Sequence, residues 1–440
     1  MTTRTRPLGA LPPLHAATNP YAFGVGRAVL AVFTSVVVMV ASTGWFVYRG
    51  FASDLGSNAI DITGLGSQSS QALPQSDDGD AAPADSFAGR ALNILLVGSD
   101  SRLNQDVGGI GDVEDEGGIR GDTTMLVHVS ADRSRVQVVS IPRDLLTTIP
   151  SCTRTDGSVS GWVDEGMFNS AISIGANWGY DLASGIACTV STTEYLTGLT
   201  IDGFAVVDFT GFRNMIDALG GVWFNFDEPV YDSYAQLDLP AGCQKLDGNQ
   251  ALAYARARHD LGDGSDTERM GRQQQLVSAI LRELLGKNFV TDLPSVLSFI
   301  KQALSSLSTS PNLADINADA GLLLSVSSID RANIQFLTMP SEPASWDPDR
   351  VTATEPDASN VWLALANDST LPPGIQYTDG SGNVLVVPDP DDVVTAPDAT
   401  DDTTDGSDTG ADTAPQSAAS SGPTVVETTI QDQCPPAGQQ

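Results

Sequence analysis

The chain has 440 residues, with 22 Lys plus Arg against 55 Asp plus Glu and a formal net charge of −33. That length holds one large domain or two ordinary ones, and that charge excludes non-specific nucleic-acid binding except at local arginine clusters. Much of the acid lies late, since no Lys or Arg follows Arg350 while Asp and Glu continue to Asp432.

Residues 1–27 carry Arg4, Arg6 and Arg27 and no acidic residue. Ala28 to Tyr48 is a run of 21 residues without formal charge, bracketed by Arg27 and Arg49. As a helix it would be about 31 Å long, matching the hydrocarbon core of a bilayer. Trp45 and Tyr48 lie at its far end, where amphipathic rings settle at headgroups. The basic bias predicts a single-pass anchor in the cell membrane, with a cytoplasmic N-terminus and everything after Arg49 extracellular. The alternative is a cleaved signal peptide, whose apolar stretch is usually shorter. Residues 49–90 are rich in Ser, Gly, Asp and Ala and read as an extracellular linker.

Order begins at Ala91, and residues 91–340 are expected to form the main folded domain. Leu92 to Val97 is a short apolar run that suits a buried strand, ending at Gly98. Thr124 to Val129 and Val136 to Ile141 read as two more strands joined by the turn Ala131 to Ser134. On that turn, Arg133 is expected to be a tolerant surface arginine. Phe204 to Val207 is a fourth strand, leading into a helix from Gly211 to Leu219 that Gly220 can cap, and Val222 to Phe226 returns as a strand. Asp266 to Leu285 is the clearest helix, with Asp266 at its start and an apolar face of Met270, Val277, Leu281 and Leu284. Further helices are expected over 293–307 and 312–326, with a last strand over 334–339. The alternation of helices and strands predicts an α/β class, a central mixed sheet layered between helices. Residues 341–388 read as a partly ordered extension. Residues 389–440 read as a disordered acidic tail, because their Asp, Thr, Ser, Ala and Pro cannot bury a core.

The four cysteines show no C-x-x-C spacing and only three His exist, which argues against a zinc cluster. Outside a membrane an even count suggests disulfides, with three possible connectivities. Cys152 with Cys188 is the favoured pair, closing a loop worth about 3–4 kcal/mol in the chain-entropy picture. Cys243 with Cys434 is the second.

Chemistry concentrates in short polar blocks: VGSDSR ending at Arg102, RGDTT from Arg120, SIPRD around Arg143, and a long block from Tyr254 to Gln275. Arginine grips phosphate with a planar two-pronged fork, and Mg²⁺ prefers carboxylate oxygen alongside substrate phosphates. Asp100 and Arg102 follow directly on a buried strand, Arg120 and Asp122 precede the next one, and Arg143 emerges at the end of the third. Ligands gather beyond strand ends in such sheets, so all five point to one rim. Arg256 and Arg258, read as extended chain, would share a face. Asp266, Arg269 and Gln273 fall on one stripe of the helix that follows. The combination points to a site for a pyrophosphate and its metal.

These blocks carry a resemblance. GSDSR, RGDTTMLVHV, VVSIPRD, FNSA (Phe168 to Ala171), the stretch from Leu196 to Val222 and the stretch from Leu246 to Gln275 resemble, in order, the motifs of the LytR-CpsA-Psr family. The likeness covers roughly Ala91 to Met339. It implies an α-β-α fold with a polyprenyl-binding pocket, anchored outside the membrane, that moves a glycopolymer from an undecaprenyl-pyrophosphate carrier onto peptidoglycan with Mg²⁺. On the matching positions, Asp100 and Asp122 would hold the Mg²⁺. Arg120, Arg143, Arg256, Arg258 and Arg269 would grip the pyrophosphate, with Asp266 and Gln273 positioning them. The acceptor nucleophile would be the 6-hydroxyl of N-acetylmuramic acid, with Asp122 or Asp100 as its base. One departure is visible: the family often has Lys-Ile/Leu-Asn where this chain has Met167-Phe168-Asn169, so a supporting charge is missing. The lipid leaving group requires an apolar groove, which the apolar stretches of Leu293 to Leu324 are expected to line or else to fill as core. Two other classes fit the same arginines, a polyprenyl-pyrophosphate hydrolase and a non-catalytic lipid-pyrophosphate-binding regulator of envelope assembly. A serine hydrolase is disfavoured, since G-x-S-x-G is absent. The sequence does not choose among teichoic acid, arabinogalactan and capsular polysaccharide as the polymer.

Overall fold

The computed structural model describes residues 59–66, 85, 87–99, 118–257, 266–286, 307–313, 322, 325–389, 424–427 and 434. The expected transmembrane span 28–48, most of the linker, and Asp100, Arg102 and Arg258 lie outside these residues.

Nine strands make the central sheet among the described residues. They are β1 (Leu92–Ser99), β2 (Gly121–Val129), β3 (Val136–Ile141), β4 (Gly203–Asp208), β5 (Leu307–Thr309), β6 (Ile334–Thr338), β7 (Gln376–Asp379), β8 (Val384–Val386) and β9 (Thr424–Glu427). Their order across the sheet is β5-β4-β1-β2-β3-β6-β7-β8-β9. β1 with β4 and β3 with β6 run parallel, and the other neighbours antiparallel, so the sheet is mixed.

Six α-helices are described: α1 (Ser170–Gly175), α2 (Leu182–Thr197), α3 (Phe209–Leu219), α4 (Gly248–Arg256), α5 (Asp266–Gly286) and α6 (Asp357–Ala366). On one face of the sheet Leu95, Val97, Leu126, Val139 and Phe204 pack against Ile186 and Val190 of α2 and Val361 and Trp362 of α6. On the other, Leu92, Met125, Val138 and Phe336 meet Val277 and Leu281 of α5. The result is the expected α-β-α layering, produced by period-two alternation along β1. A second apolar cluster joins α3, α4 and the hairpin Val222–Phe226/Gly242–Leu246 to Leu276 and Ala279 of α5. α5 therefore serves two cores at once.

Local chemistry explains the helices. The Asp208 carboxylate accepts from Gly211 N at the start of α3, and Gly220 closes that helix with φ 83°. Asp247 and Gln250 form a capping box on α4. Gly248 is required there: a Cβ would lie 2.3 Å from the Arg213 carbonyl oxygen of α3.

Several expectations are corrected. Residues 254–256 are helical rather than extended, because the capping box launches a helix through the Ala-rich stretch that follows. Leu307 opens strand β5, not the end of a helix, and residues 293–306 lie outside the described residues. The expected helix over 312–326 opens later than expected, Pro311–Leu313 forming a 3-10 turn, while its described residues 322 and 325–326 are helical as expected. Residues 341–388 are more ordered than expected, contributing α6, β7 and β8. Within the supposed acidic tail, Thr424–Glu427 pairs with β8 and Cys434 is bonded to Cys243. The Cys152–Cys188 disulfide is present as expected. Arg133 is not a surface residue. Its guanidinium donates to Asp85 at 2.8 Å and to the carbonyls of Phe87, Arg90 and Ser130 at 2.7 to 2.9 Å.

Candidate functional site

The register Thr124↔Ile141 between β2 and β3 places Asp122 opposite Arg143, each two residues beyond that antiparallel pair. On the other side of β2 the register shifts, with Gly98 opposite Thr123 but Ser99 opposite Gly121, so Asp122 is the extra residue of a bulge. Bulges re-aim side chains at strand ends. The Asp122 carboxylate accepts from Arg143 Nη1 at 3.3 Å, while Arg143 Nε donates to Asp144 at 3.2 Å.

α5 brings the second group. Arg269, only 4% exposed, donates from Nη2 to the main-chain oxygen of Asp122 at 3.4 Å. One turn further on, Gln273 Nε2 donates to the Ala255 carbonyl at 3.3 Å. Its buried Oε1 has no hydrogen-bond partner among the described residues. Arg256 is the last residue of α4, where a cation suits the helix C-terminus, and its guanidinium carbon lies 4.9 Å from the Phe209 ring centroid.

These groups share one cavity of about 470 Å³ between the sheet and α3, α4 and α5. Asp122, Arg143, Arg256, Arg269 and Gln273 supply the polar part of its wall, with Asp208. Leu96, Met125, Val207, Phe212, Met215, Leu276, Val277 and Ile280 supply the apolar part. Its chemistry is therefore amphipathic, and it suits an anion joined to a long hydrocarbon.

The structure thus gathers five of the expected site residues at one cavity. Arg120 is exposed, two residues before Asp122, and does not line it. Asp266 opens α5, and its side chain lies outside the described residues, as do Asp100, Arg102 and Arg258 entirely. Of the described residues in 293–324, Leu307 lines the cavity and Leu322 packs in a core, while most of that stretch lies outside the described residues. The rest of the described apolar wall comes from the amphipathic faces of α3 and α5 and from β1, β2 and β4, whose apolar residues read from sequence as core.

Sequence reasoning also missed the residues that fix α5 in place. Arg272 Nη2 donates to the Ala257 carbonyl at 2.7 Å, and Gln274 Nε2 to Ser140 Oγ on β3 at 2.8 Å. Tyr254 OH bonds Gln275 at 3.2 Å, and burial pushes that phenol's pKa up, so it stays a neutral donor. Of the run RQQQ only Gln273 lines the cavity and the other three are tethers, a division that side-chain types alone do not reveal.

A family model described as the LytR_cpsA_psr family matches residues 63–366. The chain belongs to that family. Among its relatives is the probable cell wall biosynthesis protein LcpB of Corynebacterium glutamicum, 38% identical over 208 residues, which are 46% of this chain and 44% of that protein. The cell wall biosynthesis protein LcpA of the same organism is 29% identical over 331 residues, 69% of this chain and 59% of LcpA. The chain thus spans about half the length of these two relatives. A solved LytR-Csp2A-Psr enzyme from Actinomyces oris is 23% identical with a TM-score of 0.46, covering 64% of this chain and 90% of that one.

Proposed function

We propose that this member of the LytR_cpsA_psr family is a phosphotransferase that moves a glycopolymer from an undecaprenyl-pyrophosphate carrier to peptidoglycan. The observation that carries the reading is the amphipathic cavity: arginines stand at one part of a wall that is otherwise hydrocarbon. An anionic headgroup with an apolar tail satisfies both halves, and a soluble sugar nucleotide satisfies only one.

The step follows from that placement. An acceptor hydroxyl, the muramic acid 6-hydroxyl in this reading, attacks the glycan-side phosphorus. A new P–O bond forms, the P–O bond to the lipid phosphate breaks, and the hydroxyl proton passes to Asp122. Phosphodiester-linked polymer and undecaprenyl phosphate leave. Charge spreads over the phosphoryl oxygens in such a transfer, so Arg143, Arg256 and Arg269 contribute chiefly by stabilising it in place. Gln273 Oε1 can accept from a protonated phosphate or sugar hydroxyl.

Among the described residues no group of three or more His, Cys, Asp or Glu side chains gathers, and Asp100 lies outside them, so the described part of the site suits Mg²⁺ in company with substrate phosphates. Mg²⁺ usually takes one or two carboxylates plus phosphate oxygens, and Asp122 and Asp208 both line the cavity. When bound, the ion would neutralise pyrophosphate charge. Membrane anchorage through 28–48 and an extracellular domain complete the proposal, because the lipid carrier and the acceptor would meet at that surface.

The test supplies purified protein with a labelled lipid-pyrophosphate glycan, with and without peptidoglycan. Label joined to peptidoglycan through a phosphodiester supports transfer. Release of label into water at the same rate with or without acceptor marks a hydrolase, and tight binding without turnover marks a regulator.

A further inference from the structure

At the C-terminal end of α1, Asn177 and Trp178 hold left-handed φ angles of 54° and 59°. A bulky L-residue adopts that conformation only where its surroundings impose it, and such residues gather at ligand clamps. The surroundings here are specific. Trp178 N donates to Ser173 O at 2.7 Å and Gly179 N to Ala176 O at 2.9 Å. The Trp178 carbonyl abuts Gly118, where a Cβ would come within 3.2 Å of it.

This strained turn does not bury its indole. Trp178 is 64% exposed and Tyr180 is 44% exposed, with Asn177 exposed beside them. Large aromatic rings normally contribute area to a core. The turn thus holds an indole and a phenol ring open to solvent on a backbone fixed by its neighbours.

The turn is also joined to the transfer site. Gly118 begins the segment that continues through Arg120 to Asp122, and Ser173 Oγ donates to Ile119 O at 2.7 Å beneath it. Four residues of chain span at most about 14 Å, the reach of a few sugar rings.

We propose that Asn177, Trp178 and Tyr180 form the platform on which the glycan strand of the acceptor lies while its hydroxyl is presented at Asp122. This rests on the transferase reading above. The C–H face of a pyranose carries slight positive charge and stacks on the negative face of an aromatic ring. The Asn177 amide supplies both a donor and acceptors for sugar hydroxyls. Aromatic residues also settle at membrane surfaces, but Ala176 to Asp181 contains an acidic residue and no Lys or Arg to attract anionic headgroups.

The experiment uses the full chain in detergent and reads cosedimentation with sacculi stripped of glycopolymer, acceptor KM, and donor hydrolysis without acceptor. Trp178→Asn removes the ring and suits a left-handed φ, so it should fold. It should weaken cosedimentation and raise acceptor KM about fivefold or more, while donor hydrolysis stays unchanged. Trp178→Phe should recover most of the loss. Tyr180→Ala, on ordinary backbone, gives an independent reading should the Asn variant fold poorly. Unchanged cosedimentation and KM in both Trp178→Asn and Tyr180→Ala would overturn the platform, as would loss of binding to phosphatidylglycerol vesicles in place of sacculi. If the wild type neither transfers nor hydrolyses, the transferase reading fails, and cosedimentation still decides the platform.

Discussion

Asp122 and Arg143 face each other at 3.3 Å because a bulge and a strand register act on the same strand end. The register sets Arg143 opposite, and the bulge leaves Asp122 as the extra residue on β2. The carboxylate is 31% exposed and its partner 17%, so the pair is partly buried but keeps contact with water. Ion pairs of that kind add about 0–1 kcal/mol to stability. Under the proposed transfer, their contribution is to chemistry rather than to holding the fold.

That balance makes the first prediction. Asp122→Asn and Arg143→Ala should each slow transfer about 10²-fold or more, while shifting stability by no more than about 1 kcal/mol. The double variant should lose far less than the product of the two, because the residues act as a unit. Single-turnover transfer rates beside denaturant melts check this. Wild-type rates in both single variants would remove the pair from the site.

The cavity makes the second. Ala205 lines it on β4, paired in register with Leu96 of β1, which also lines it. Ala205→Phe should fill apolar volume that a long lipid tail would occupy. Each displaced methylene is worth about 0.8 kcal/mol, so a full-length undecaprenyl donor should lose about tenfold or more in kcat/KM. A short-chain donor that never reaches Ala205 should be barely affected. Equal losses for both donors would show that this volume does not hold the lipid.

How much of this was legible in the sequence differs from element to element. β1, β2 and β3 announce themselves as apolar runs of strand length, and α5 as an amphipathic run that opens at Asp266. α2 does not. Its Thr-rich sequence has poor helical propensity, yet Thr189, Thr192, Thr193 and Thr197 each donate to the carbonyl four residues back, which lets their hydroxyls sit in a core. The site arginines were visible as a group because residue type alone signals phosphate. The cavity was not, since Leu96, Met125 and Val277 carry the same apolar pattern whether they face a core or a ligand. Asp122's exact aim was hidden too, because a bulge depends on the partner strand.

A third prediction concerns Arg133, whose side chain clasps the segment 85–90 against the β2–β3 turn. Its guanidinium and the Asp85 carboxylate are 9% and 6% exposed, so neither can turn to water when the other is removed. Arg133→Ala should therefore destabilise the domain by about 3 kcal/mol or more. Arg133→Lys should recover little, because one ammonium cannot reach Asp85 and three carbonyls together. Urea melts decide it, and a melt unchanged by Arg133→Ala would show the clasp to be dispensable.

The last prediction is a pH dependence far from the site. His128 is 1% exposed on β2, with Nδ1 2.8 Å from Asn93 Oδ1 and Nε2 3.2 Å from Asp368 Oδ1. Burial pushes its pKa below the ordinary 6.5, and the Asp368 carboxylate opposes that without overcoming it. Arg135, which also bonds Asp368 at 2.7 Å, adds to the lowering. The unfolded chain thus takes up a proton at His128 more readily than the folded one. Stability from this residue is full above about pH 6.5 and falls as pH drops through that value toward the lower folded pKa. Asp85, whose pKa is lowered from 3.8 as hydrogen bonds from Arg133 and Phe87 outweigh burial, acts only below about pH 4, so the two windows separate. Denaturant melts between pH 7.5 and 5 should show stability declining, on the order of 1 kcal/mol for each unit of pKa difference. His128→Gln should flatten that slope whatever it does to the plateau. A slope that survives the substitution would place the titrating group elsewhere.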